Sequence, residues 1–207
     1  MFNCKLQSRD RKFMFKAYFE SFRSKVPLSI EEEEVIAGYL STRTVSKKEL
    51  ILNAGEVCNA AFFVSIGLLR AFTIDENESQ HTVQFAPEGW LISDLYSFIT
   101  GEKGTFNIEA IENSELVVIT SEAHEEMLEV CPKYEKLTRI QMTNAYVALQ
   151  KRINSSVTAG VEERYLSFVN SHCDLAQRVP QKIIASYLGL TPETLSRIKR
   201  RLAEKGE

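Results

Sequence analysis

The residues of this chain best equipped to do chemistry crowd its last thirty positions. Written out, they run Gln181-Lys-Ile-Ile-Ala-Ser-Tyr-Leu-Gly-Leu-Thr-Pro-Glu-Thr-Leu-Ser-Arg-Ile-Lys-Arg-Arg-Leu202. Ile184, Leu188, Leu190, Leu195 and Ile198 supply apolar packing, and Ala185 is small where two helices must cross. Gly189 can end the first helix in the left-handed conformation that glycine adopts cheaply. Thr191-Pro192-Glu193 then restarts a helix, with threonine as cap, proline at the first helical position and an acid in the first turn. Together these predict a helix-turn-helix whose second helix enters a major groove. Glu193, Thr194, Ser196 and Arg197 are the residues expected to touch bases. Arg197 can donate two hydrogen bonds to a guanine edge, and Glu193 can accept from a cytosine amino group. Lys182, Thr191, Lys199, Arg200 and Arg201 are expected to hold phosphates, which adds affinity without sequence choice. The alternative is a charged, solvated helix pair that only packs.

Charge distribution supports a nucleic-acid partner for that end. Residues 178–207 carry seven basic and three acidic side chains, whereas residues 30–130 carry five and nineteen. The chain as a whole has net charge −3, and a basic segment on its acidic body can dock where the body would be repelled. With 44% hydrophobic and 26% charged residues, the composition is that of a soluble globular protein. There is no apolar run of the ~18–20 residues that a membrane span needs, and no secretory signal pattern. Cys4, Cys58, Cys131 and Cys173 have no short metal-binding spacing, so a reducing cytoplasm is the expected location.

The elements that must position the motif read as follows. The basic, aromatic residues 1–28 form an extension and a short helix ending near Pro27; Met14 is a candidate natural start. Ser29 caps a helix opened by four glutamates. From Arg43 to Thr120, short β-rich runs alternate with turn residues, which argues for a sandwich or barrel. Between Pro87-Glu-Gly89 and the run Phe106–Ile111 lies a mixed stretch. Ser121 starts a helix that ends before Pro132. The longest helix, about Lys133 to Ser156, carries two apolar stripes: Leu137, Ile140, Asn144, Val147, and Met142, Tyr146, Leu149, Ile153, Val157. One can face its own β domain and leave the other for a second copy. Leu137, Ile140, Asn144 and Val147 are assigned to the dimer helix, with Asn144 in the seam fixing register. After a break at Thr158-Ala-Gly160, residues Glu162–Asn170 form another helix, and His172–Val179 a connection.

With these parts in place, the chain resembles the Crp-Fnr family of bacterial regulators, in the short form typical of Bacteroidetes, over nearly its whole length. The carrying residues are Leu149-Gln-Lys-Arg-Ile153, Glu162-Glu-Arg-Tyr-Leu166, Arg178-Val-Pro-Gln-Lys182 and Ser196-Arg-Ile198. The resemblance implies an α+β fold. Its parts are an N-terminal β-roll of the cyclic-nucleotide-binding type over 29–132, a dimerisation helix over 133–157 and a DNA-binding domain over 158–207. It places Glu193 and Arg197 at the family's base-reading positions. Pro192 stands where the cyclic-AMP receptor protein has a further arginine, which implies a different DNA site. Cyclic-AMP-binding members carry a Gly-Glu pair and, about ten residues later, an arginine that neutralises the phosphate. Here Ser93-Asp94 and Gly104-Thr105 stand at those places. A cyclic phosphate would lack its strongest partner, so the usual mode of cyclic-AMP binding is not expected. Trp90, Ile92, Ser93, Asp94, Lys103, Gly104 and Thr105 are the candidate effector pocket, for an unknown small molecule or for nothing.

The expected partners are a pseudo-palindromic DNA duplex, a second copy of the chain and RNA polymerase, with no membrane. Cys4 alone cannot supply the clustered cysteines of the oxygen-sensing iron–sulfur branch. His81, His124 and His172 lie in no haem motif. No cofactor or catalytic group is expected, and Asp94 and Glu109 read as isolated carboxylates that are solvated or hydrogen-bonded rather than catalytic. The rival function is a small-ligand sensor or interaction module that does not read DNA.

Overall fold

The computed structural model describes residues 15–205, so Cys4 and the expected extension before Phe15 lie outside the described residues. The chain divides into two compact units: residues 1–71 with 86–144, and residues 72–85 with 145–207.

The first unit begins with α1 (Lys16–Arg23) and α2 (Ile30–Ala37). Ser29 builds a full capping box on α2: its hydroxyl accepts from Glu32 N at 3.3 Å, and the Glu32 carboxylate accepts from Ser29 N at 2.7 Å. Eight strands follow: β1 (Ser41–Val45), β2 (Leu50–Leu52), β3 (Ala60–Ile66), β4 (Leu69–Ile74), β5 (Gln80–Ala86), β6 (Leu91–Ile92), β7 (Asn107–Ala110) and β8 (Ser114–Thr120). The short helix α3 (Leu95–Thr100) separates β6 from β7. They pair as two sheets, β1-β8-β3-β6 and β2-β7-β4-β5. The central β3–β8 pair is antiparallel, with Phe62 opposite Val118 and Phe63 opposite Val117.

Successive side chains on β3 point to opposite faces, and both faces are covered. Phe62 and Val64 join Leu69, Ala71, Ile108 and Leu116 in an apolar core of the roll. Phe63 turns the other way, to a second core with Tyr18, Phe22, Ile36 and Val117. Tyr18 stands edge-on to Phe63 at 5.2 Å between ring centroids. This two-sided burial explains why β3 reads as a continuous apolar run rather than an alternating one.

Two helices close the first unit: α4 (Ser121–Val130) and the first half of α5 (Pro132–Thr158). Here one expectation needs correction. Leu137 is buried in the second core, so it serves its own subunit rather than a dimer seam, and half-buried Ile140 packs against the same core. Asn144 and Val147, further along α5, are exposed.

The second unit contains the far half of α5, α6 (Val161–Ser171), α7 (Cys173–Arg178), α8 (Gln181–Tyr187), α9 (Pro192–Lys205) and the hairpin residues 72–85. The expected connection after His172 is in fact mostly the short helix α7, whose Leu175 is buried. Phe85, Phe168 and Tyr187 stack around one another, with centroids 4.9 to 6.3 Å apart. Arg152 from α5 fastens the same region. Its guanidinium donates to the carbonyls of Val83, Thr82 and Tyr187, and lies 4.4 Å from the centre of the Tyr187 ring. Ser186 accepts from Thr82 N at 2.8 Å and donates to Gln80 O at 2.6 Å. No helix among the described residues is long and apolar enough to cross a membrane.

Candidate nucleic-acid interface

The C-terminal motif folds as a helix, a tight turn and a second helix. Gly189 takes φ +67°, the left-handed region, immediately after α8. Leu190 N donates to Ala185 O at 2.8 Å across the turn, satisfying a carbonyl that the end of the helix leaves free. Ala185 is completely buried, as close helix crossing requires. The Thr191 hydroxyl accepts from Thr194 N at 3.2 Å and so caps α9. Leu195 and Ile198 are buried beneath that helix, which fixes which of its faces is outward.

On the outer face, Glu193, Ser196, Arg197, Lys199 and Arg200 are exposed. Thr194 is only half-buried beside them, and its hydroxyl lies 3.1 Å from that of Thr191. Of the four expected base-contacting residues, it is the least outward. The first-turn backbone N–H of Glu193 holds that carboxyl below the usual carboxylate range, helped by the Thr191 hydroxyl and the Arg197 charge. Glu193 is thus an ionised acceptor at neutral pH. Lys182 and Thr191 are exposed at the starts of the two helices, where donors can meet phosphate. Arg201 is exposed too, but its guanidinium sits 3.5 Å from the Glu162 carboxylate on α6. That exposed pair is weak and can exchange for a phosphate at little cost.

The expected effector residues separate into different surroundings. Trp90, Lys103 and Thr105 are exposed, and Ser93 is half-buried. Ile92 is part of the apolar core of the roll, so it is a packing residue rather than a pocket wall. Asp94, Gly104 and the backbone of Thr105 do come together. Asp94 is buried; one carboxylate oxygen accepts from Ser97 N at 3.2 Å, the other from Thr105 N at 2.8 Å and Phe106 N at 3.0 Å. Both Asp94 oxygens are thus hydrogen-bonded to backbone N–H groups. Glu109 pairs with buried Arg70 at 2.6 Å across β7 and β4. Among the described residues, no three of His, Cys, Asp or Glu converge as a metal site requires.

Sequence reasoning missed Arg152 and Ser186 as fasteners of α8. Their partners lie 70 and 104 positions away, and no local pattern announces them. The role of Asp94 left one local signal, a helix-capping residue three positions before Ser97.

Comparison with known proteins agrees with this architecture. Residues 42–131 match the cyclic nucleotide-binding domain model. The fumarate and nitrate reduction regulatory protein of Vibrio cholerae is 25% identical over 167 residues, covering 75% of this chain and 66% of the relative's length. Among solved structures, FixK2 from Bradyrhizobium japonicum superposes with a TM-score of 0.71 at 17% identity, covering 81% of this chain and 86% of its own. A putative transcriptional regulator of the crp/fnr family from Eubacterium rectale gives 0.69 at 18%, covering 94% and 89%. A cyclic-nucleotide-binding-type β-roll, a long helix and a terminal helix-turn-helix follow one another in this chain, and the fold is shared with these solved structures.

Proposed function

We propose that the chain is a homodimeric, sequence-specific DNA-binding regulator of transcription, whose β-roll does not take cyclic AMP in the usual way. The observation that carries this reading is the face of α9: Glu193, Ser196 and Arg197 point outward above buried Leu195 and Ile198, just after the Gly189 turn. That geometry presents one acceptor and one bidentate donor to base edges from the N-terminal half of a helix. Lys182, Thr191, Lys199, Arg200 and Arg201 surround them as phosphate ligands. Two copies joined along α5 would present two such helices roughly 34 Å apart, matching half-sites one helical turn apart in a pseudo-palindrome. RNA polymerase is the corresponding protein partner for such a regulator.

Selection of bound sequences from random duplex DNA, with and without cyclic AMP, tests the reading. A recurring palindrome, enriched equally in both arms, is the expected result. Replacing Arg197 by Ala should then cost ~1–3 kcal/mol of discrimination at one base pair per half-site. Weak, salt-sensitive binding should remain. The rival reading, a sensor or interaction module that does not read DNA, requires that no sequence be enriched at all.

A further inference from the structure

The loop after α3 gathers three backbone donors around one point. Thr105 N and Phe106 N aim at the same oxygen, and Ser97 N, in the first turn of α3, at its neighbour. Converging N–H groups of this kind form a seat for an anion. In this chain the seat is filled from within, because all three donors end on the carboxylate of Asp94, which is only 2% exposed. The surroundings are equally closed. Gly104 N donates to Glu56 O and Gly55 N to Gly104 O, both at 2.9 Å, and Ser97 Oγ accepts from Cys58 N at 2.8 Å. Behind them, Val64, Leu69, Ala71, Ile108 and Ala110 of the roll core are all fully buried.

Gly104 makes the arrangement possible. A Cβ at that position would lie 2.5 Å from Asp94 Oδ2 and 2.8 Å from its Cγ. The carboxylate could move aside only by giving up the bonds that hold it. Asp94 and Gly104 are therefore a matched pair: the carboxylate occupies the seat, and the missing side chain lets the loop close over it.

We propose that Asp94 is the permanent anion of this domain, so that the β-roll is complete without a phosphate-bearing effector and excludes one from the seat. This rests on reading the surroundings of Asp94 and Gly104 as the candidate effector pocket, and it is tested by measurements that do not involve DNA. In the unmodified full chain, the amide resonances of Thr105 and Phe106 should not change on titration with cyclic AMP or, separately, inorganic phosphate to several millimolar. A saturable shift of either amide would overturn the proposal. Thermal unfolding of Asp94→Ala, Gly104→Ala and the double variant supplies the second arm. Loss of the charge-assisted bonds should lower the Tm of Asp94→Ala by roughly 5–10 °C. Gly104→Ala should also lower it, but should cost clearly less once Asp94 is alanine, when only the 3.1 Å approach to Ser97 Cβ remains. Additive losses would show that Gly104 is not there to accommodate the carboxylate. Should the variants fail to fold, the amide titration of the unmodified chain still decides. A failed seat would also overturn the reading that cyclic AMP is not taken in the usual way, but it would leave sequence selection on DNA to stand or fall on its own test.

Discussion

His124 shows how a residue without a functional motif can still give the chain a pH dependence. Burial holds its imidazole below the ordinary value, against a smaller opposite pull from Glu125. Nδ1 lies within hydrogen-bonding distance, 2.7 Å, of the Tyr134 hydroxyl. The folded state thus favours neutral histidine. Its contribution is complete above the unfolded value of about 6.5, and it is lost as pH falls through that value toward the depressed folded one. His172 is also lowered by burial and acts in the same direction. Calorimetry at several pH values from about 7.5 to about 5.5 should show Tm falling more steeply for the unmodified chain than for His124→Asn. Parallel curves would remove the residue from this account. Nothing in the sequence around His124 foretold its depressed value, because the burial comes from Phe98 and Tyr134 on other elements. Arg197 and Glu193, by contrast, were legible as candidates, since their placement follows from the helix they sit on.

The turn between α8 and α9 is the element most fully written into the local sequence. Every determinant, from Ala185 through Gly189 to Thr191, lies within a few residues of the next. Gly189→Ala isolates one of them. A Cβ there would meet nothing within 4 Å, so the cost is the strain of φ +67° alone, about 1–2 kcal/mol. Urea unfolding should register that loss, and a variant as stable as the parent would show that the turn can relax. Other elements were hidden because they are short. The two-residue β6 and the six-residue α3 have too little length to display a period, and α7 passed for a connection for the same reason. On α5 the periodicity revealed two apolar stripes, but not which one the protein covers. That depends on where α1 and α4 settle, and they settle on Leu137 and Ile140.

For the whole molecule, the question is what covers the remainder of α5. Tyr146, Leu149, Ile153 and Val157 are 65%, 53%, 56% and 80% exposed, at spacings that keep them on one side of the helix. A second copy laid along this stripe would bury it and pair the two recognition helices. Sedimentation of a Leu149→Asp, Ile153→Asp variant should give a monomer that binds a palindromic site at least tenfold more weakly than the parent. A dimer that survives both charges would place the interface elsewhere. The division of the chain bears on a different matter, its synthesis and its dissection. Phe85, Thr82 and Gln80 are made roughly eighty to one hundred residues before the partners they hold, Phe168, Ser186 and Tyr187. The nascent hairpin must therefore wait, with Phe85 uncovered, until nearly the entire polypeptide has emerged. A proteolytic fragment starting at residue 145 would be born without part of its own core. The C-terminal helical half of this protein is not a detachable module, and its maturation is tied to that of the segment from which the hairpin springs.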